Sequence, residues 1–185
     1  MVVIDALTQT IMLEPKPNGS GPALSQAILL VKLLGVSMAA EFSVITETAT
    51  LAIFDLAAIR HRMSDTFDWW SIQSDEIYEM NEGNIAFLNL GEDGKYLVKV
   101  LAELPNALGS IFLSIPSGSL FIGAGEDTAG GGMEPDGSDA IQGACIAFAP
   151  GNYQMGFAFE CGLIMLSFAR AESHRNNFSD SIRLG

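Results

Sequence analysis

Gly83-Asn84-Ile85-Ala86-Phe87-Leu88-Asn89-Leu90-Gly91-Glu92-Asp93-Gly94-Lys95-Tyr96-Leu97-Val98-Lys99-Val100 reads as two apolar strands about an acidic turn. Ile85 and Phe87 share one side of the first strand. Tyr96, Val98 and Val100 alternate with Leu97 and Lys99 in the second. Asp93-Gly94 between apolar runs is a strong short-range signal for a β-hairpin, because glycine accepts a positive φ without strain.

The same pattern returns at Gly143 to Phe159. Ile85-Ala86-Phe87 matches Ile146-Ala147-Phe148, and Gly94-Lys95-Tyr96 matches Gly151-Asn152-Tyr153. Upstream, Thr50-Leu51-Ala52-Ile53 matches Ser119-Leu120-Phe121-Ile122. Three pieces in the same order point to an internally repeated β unit. The expected fold is mostly β (α+β), a β-sandwich or flattened barrel built from two related β units with one packed N-terminal helix. The expected organisation is a single domain over 1–185, with units at about 42–104 and 111–169 and a polar tail at 170–185.

Outward from these units, Val2-Val3-Ile4 and Ile11-Met12-Leu13 are strand-like. Residues 14–22 are loop punctuation. Ala23 to Leu34 is the helix candidate, with Leu24, Ala27, Ile28, Val31 and Leu34 on one face and Pro22 suited to its first turn. Phe42, Val44 and Thr46 alternate with Ser43, Ile45 and Glu47 as a strand. Further strands are expected at Leu51–Leu56, Ile111–Ile115, Ser119–Ile122 and Leu163–Ala169, and a short helix capped by Ser74 over Asp75–Asn81.

The charge balance narrows the function. The 22 acidic residues against 9 basic ones give a net of −13. That disfavours nucleic acids and anionic membranes, which select lysine and arginine, and favours a basic partner. No base occurs between Arg62 and Lys95 or between Lys99 and Arg170, so the negative field covers most of the body. The N-terminus lacks a secretory pattern and Ala27–Ala40 is too short to span a bilayer, so a cytoplasmic location is expected. Cys145 and Cys161 are read as buried free thiols in strands of the second unit.

No chemistry is written in the motifs. His61 sits between arginines, His174 lies in the tail, and neither cysteine has metal-ligand spacing. Gly123-Ala124-Gly125 is not a dinucleotide fingerprint, and Glu134, Asp136 and Asp139 lack the spacing of a calcium loop. No enzyme activity, cofactor or metal is expected. Two insertions between matched strands are the unusual surfaces. One holds both tryptophans: Asp65, Asp68, Trp69, Trp70, Asp75, Glu76 and Glu79. The other is the glycine-rich Gly123–Ser138 loop and its continuation: Glu126, Asp127, Glu134, Asp136 and Asp139. Carboxylates around aromatic anchors have the composition of a protein interface, although tryptophans of this kind also serve as core plugs.

Thr48-Ala49-Thr50-Leu51-Ala52-Ile53-Phe54-Asp55-Leu56, Asp68-Trp69-Trp70, Gly83-Asn84-Ile85-Ala86-Phe87 and Gly151-Asn152-Tyr153 resemble an uncharacterised bacterial family similar to immunity proteins of type VI secretion or contact-dependent toxins. The resemblance covers about residues 40–170 and transfers no site residue. It implies binding and neutralisation of a cognate toxin with a basic surface, such as a nuclease effector. The alternatives are a small-ligand-binding β module and a structural homodimer sealed by Ala23–Leu34.

Overall fold

The computed structural model describes residues 2–5, 10–13, 38–66, 68–128, 143–172 and 175–185. The expected helix Ala23–Leu34 and most of the glycine-rich loop, including Glu134, Asp136 and Asp139, lie outside the described residues, as does His174. In chain order the strands are β1 (Val2–Asp5), β2 (Thr10–Leu13), β3 (Met38–Thr46), β4 (Thr50–Asp55), β5 (Ile85–Asn89), β6 (Gly94–Leu101), β7 (Gly109–Ile115), β8 (Ser119–Ala124), β9 (Gly143–Ala147), β10 (Gly151–Glu160), β11 (Leu163–Arg170) and β12 (Ile182–Arg183). Helix α1 spans Gln73–Glu82.

The strands form two sheets. One is seven-stranded in the order β12-β5-β4-β8-β9-β1-β2, and the other five-stranded in the order β3-β6-β11-β10-β7. Neither closes on itself, so the architecture is the sandwich expected and not a flattened barrel. The residues between the sheets are apolar: Ile53, Leu88, Ile122 and Ile146 from one, and Val44, Val98, Ile111, Met155, Ile164 and Leu166 from the other, all buried. Each such side chain contributes about 1.5–3 kcal/mol relative to exposure.

Gly83–Val100 is not a hairpin. Strand β5 pairs with β4 in the large sheet, while β6 pairs with β3 and β11 in the small one. The burial patterns show why. Ile85, Ala86, Phe87 and Leu88 are all buried, as suits a strand covered on both faces. β6 instead alternates buried Tyr96, Val98 and Val100 with partly open positions. The turn therefore carries the chain across the sandwich, and the chain between β9 and β10 does the same.

The two halves take the same route. Strand β3 lies in the small sheet, β4 and β5 in the large one, and β6 returns to pair with β3; β7, β8, β9 and β10 repeat this order. The halves meet where β4 pairs antiparallel with β8, with Ile53 opposite Ile122 at the ladder's centre. Phe54 and Phe121 meet edge to face there at 5.3 Å. Leu51 pairs with Leu88 and Leu120 with Ile146, so the counterpart of Ile146 is Leu88 and not Ile85. Strand β11 joins the halves in the small sheet, parallel to β6 and antiparallel to β10.

Both crossovers are tied alike. Tyr96 donates its hydroxyl to the Glu92 carbonyl at 2.6 Å, and Tyr153 donates to the Ala149 carbonyl at 2.7 Å. The amide of Leu90 bonds the Ala49 carbonyl at 2.7 Å and that of Phe148 the Gly118 carbonyl at 2.8 Å. A buried tyrosine needs a partner for its hydroxyl, and here that partner fixes the corner.

Two sequence expectations fail locally. Cys145 lies in β9 and is half-buried, but Cys161 is exposed at the tip of the β10–β11 hairpin, with positive φ at both Cys161 and Gly162. That is the backbone of a two-residue primed turn. Helix α1 starts at Gln73 with Ile72 as its N-cap, and no side chain caps it, so Ser74 is inside the helix.

Candidate partner-binding face

The segment between β4 and β5 folds back over the outer face of the large sheet. Arg60–Arg62 and Trp69–Ser71 form two short 3-10 turns, and α1 follows. Asp68 adopts a left-handed φ of 59°, which a short polar side chain tolerates, and so turns the chain into the tryptophans. At the other end of α1, Gly83 has φ 76° and its amide bonds Met80, while Asn84 bonds Glu79. This Schellman closure needs glycine, and a Cβ at Gly83 would also lie 2.5 Å from the Phe112 ring.

Both tryptophans lie on Phe87 of β5. Trp69 meets its ring edge-on at 5.9 Å and Trp70 stacks on it at 5.5 Å. Trp69 is buried and points its Nε1 at the Thr128 carbonyl, 3.4 Å away. Trp70 is half-buried, and its Nε1 has no hydrogen-bond partner among the described residues. The pair plugs the outer face of the sheet, so neither ring stands out as a free anchor.

Arg62 organises the polar side of the insertion. Its Nε donates to the buried Glu79 carboxylate at 2.8 Å, and its Nη1 reaches Asp65 at 3.0 Å and Asp75 at 3.4 Å. Its guanidinium also lies 5.0 Å from the centre of the Trp69 ring. Glu79 further bonds His61 at 2.8 Å and Asn84 at 2.6 Å. Burial pushes the Glu79 carboxyl up, but the bonds from Asn84, His61 and Arg62 outweigh it, and the net shift is downward. A carboxylate so tied is held charged inside the protein.

The C-terminal residues strap this insertion down. Asn176 bonds the Met80 carbonyl at 2.8 Å and both the amide and carbonyl of Phe112, at 2.9 and 3.0 Å. Asn81 exchanges two bonds with the Phe178 backbone, Gln73 bonds Asp180, and Arg175 pairs with Glu82. Ser181 donates to Glu76 at 2.7 Å. Burial leads the upward shift of the Glu76 carboxyl, with Asp180 adding to it and Ser181 and Arg183 opposing. The polar tail ends as β12, an edge strand parallel to β5.

The second insertion opens with a 3-10 turn, Gly125–Thr128. Glu126 accepts bonds from the hydroxyls of Thr46 and Thr48, at 3.2 and 2.7 Å, and from the Glu47 amide at 2.8 Å, so it pins the β3–β4 turn. Asp127 is buried and its Oδ2 has no hydrogen-bond partner among the described residues. Burial pushes its carboxyl up to about 6, helped by Glu126 and opposed by a bond from the Ala124 backbone.

Of the candidate residues, Trp69, Glu79 and Asp127 are therefore interior, and Glu76 and Glu126 are tied to neighbouring segments. Asp65 and Asp68 are exposed and Asp75 is partly so. These three form the open acidic edge. Sequence reasoning missed Arg62 as their organiser and missed Ile72 and Tyr78, which are 55% and 54% exposed. A helical wheel started at Gln73 would have placed Tyr78 opposite Met80; the rarity of tryptophan drew attention elsewhere. Among the described residues no three His, Cys, Asp or Glu side chains converge as a metal site, and no helix is long and apolar enough to cross a membrane.

These features define a two-sheet β protein whose large sheet carries a strapped, acidic helical insertion on its outer face. The chain belongs to a family of unknown function, DUF6386, whose pattern matches residues 38–184. No curated protein matches the sequence. Two solved structures are similar. The crocagin biosynthetic gene J protein is 14% identical with a TM-score of 0.50, over 75% of this chain and 100% of its own. ComJ of Bacillus subtilis, an inhibitor of the DNA-degrading activity of NucA, is 9% identical with a TM-score of 0.45, over 74% and 98%. The likeness to the first concerns the fold.

Proposed function

We propose that this protein is an immunity protein that binds one cognate, basic toxin in the cytoplasm and neutralises it by occlusion, without catalysis. The observation that carries the reading is the open acidic edge of Asp65, Asp68 and Asp75, of which Arg62 holds Asp65 and Asp75 in place. It sits on a chain of net charge −13. Opposite charge steers a basic partner and raises the association rate, while carboxylates already positioned lose little freedom on binding. Arg62 neutralises part of the edge but fixes its geometry, and Asp68 remains without a side-chain partner among the described residues. A nuclease effector fits this chemistry, because its own substrate site is cationic.

The test is co-expression with the product of the neighbouring gene, scored by rescue from toxicity and by isolation of a complex. Rescue with a stable complex is expected. The absence of both rescue and complex would refute the proposal.

A further inference from the structure

Four large apolar side chains stand exposed among the described residues: Ile45, Ile72, Tyr78 and Leu108. Two of them, Ile72 and Tyr78, belong to the acidic insertion. Ile72 ends the tryptophan turn and caps α1, and Tyr78 lies on the helix's solvent side. Ile72 is the N-cap, and Tyr78 lies in the second turn, about 9 Å further along the helix axis. Tyr78 is flanked one turn away by Asp75 and Glu82, neighbours at i−3 and i+4. Residues 60–82 carry six acids against two arginines.

The interior offers both side chains no place. The buried side of α1 is filled by Glu79 and Met80, and its flank by the C-terminal strap. Trp69 and Trp70 already cover Phe87. Ile72 and Tyr78 therefore keep more than half of their surface in solvent, and they project from a helix end whose surroundings are negative. Apolar anchors inside a charged rim are the arrangement in which a few residues carry most of a protein interface.

We infer that Ile72 and Tyr78 are the apolar anchors of the partner interface, and that they fit a cationic protein surface in which an apolar cleft is flanked by lysine or arginine. This rests on the acidic-edge reading above and replaces the tryptophans as its anchors. The carboxylates select the partner and set its rate of arrival, while the two apolar side chains slow its departure.

Two peptides of equal charge test this on the full chain, one of leucine and lysine and one of glycine and lysine. Binding is followed by shifts of the Ile72 methyl and Tyr78 ring resonances. The leucine peptide is expected to bind about tenfold or more tightly than the glycine peptide, with shifts centred on Ile72 and Tyr78. In Tyr78→Ala and in Ile72→Ser, both exposed and so compatible with folding, the gap should narrow several-fold. Equal binding by the two peptides, a gap that survives both substitutions, or shifts centred elsewhere would overturn the anchors while leaving the acidic edge standing. Binding by neither peptide would overturn both readings.

Discussion

The two crossovers of this protein are built alike, and its two insertions are not. At each crossover a tyrosine closes a corner onto the carbonyl four residues upstream, and a backbone amide bonds the earlier turn of the same half. Between β4 and β5, by contrast, the chain builds a helix, two tryptophans and a network centred on Arg62. After β8 it makes a short turn, one of whose acids, Glu126, braces the β3–β4 corner of the other half. The lesson is a division of labour. What is repeated holds the sheets together, and what differs sets the surface each half presents.

The largest expected effect lies in the insertion. Arg62→Met leaves the buried Glu79 without its main cation and should lower the unfolding free energy by about 3–5 kcal/mol, measured by urea denaturation. A loss under about 1 kcal/mol would show that His61 and Asn84 hold Glu79 unaided.

Next comes the other insertion, through pH. The folded-state pKa of Asp127, about 6, lies above its ordinary value of 3.8. Between these values the folded protein binds more protons than the unfolded one, so this residue's contribution to stability falls as pH rises from about 4 to about 6. Asp127→Asn should remove that slope and stabilise the protein at neutral pH by about 1–3 kcal/mol, with no gain at pH 4. Glu79, whose pKa is lowered, has the opposite sign: its stabilisation is lost as pH falls through its folded pKa. Thermal unfolding of wild type and Asp127→Asn across this range separates the two.

The crossovers predict a smaller, matched pair of effects. Tyr96→Phe and Tyr153→Phe should each cost about 1 kcal/mol, in equal measure. A difference of several-fold would show that the corners differ in energy despite their shared geometry. Smallest of all, Asp68→Asn should change stability by under about 0.5 kcal/mol, because the residue is exposed, has no ion-pair partner among those described, and asparagine also tolerates its left-handed backbone.

Much of this architecture could be read from residue order. Alternation in Phe42–Glu47 placed β3, the apolar run Ile111–Ile115 placed β7, and the repeated order of Thr50–Ile53, Gly94–Tyr96 and their counterparts matches strands with corresponding places in the two halves. The hairpin was misread because Asp93-Gly94 marks a turn but not which sheet follows it. The information lay in the change from the continuous apolar run Ile85–Leu88 to the alternation of Tyr96–Val100. The acidic surroundings of the insertion were visible as composition, but Arg62 bonds residues three, thirteen and seventeen positions away, a geometry that only the folded insertion creates. The packing of both tryptophans on Phe87 was open in the composition, which suits an anchor and a core plug alike.

The account stands most directly on how the open acidic edge governs association. The measurement is the association rate with the neighbouring gene's product, at low and at high salt, for wild type and for Asp65→Lys/Asp68→Lys/Asp75→Lys. Wild type should associate fast and lose rate steeply with salt, and the triple variant should associate at least about tenfold more slowly at low salt with little salt dependence. A triple variant that matches wild type in rate and salt dependence would contradict the claim that this insertion is where the protein meets its partner.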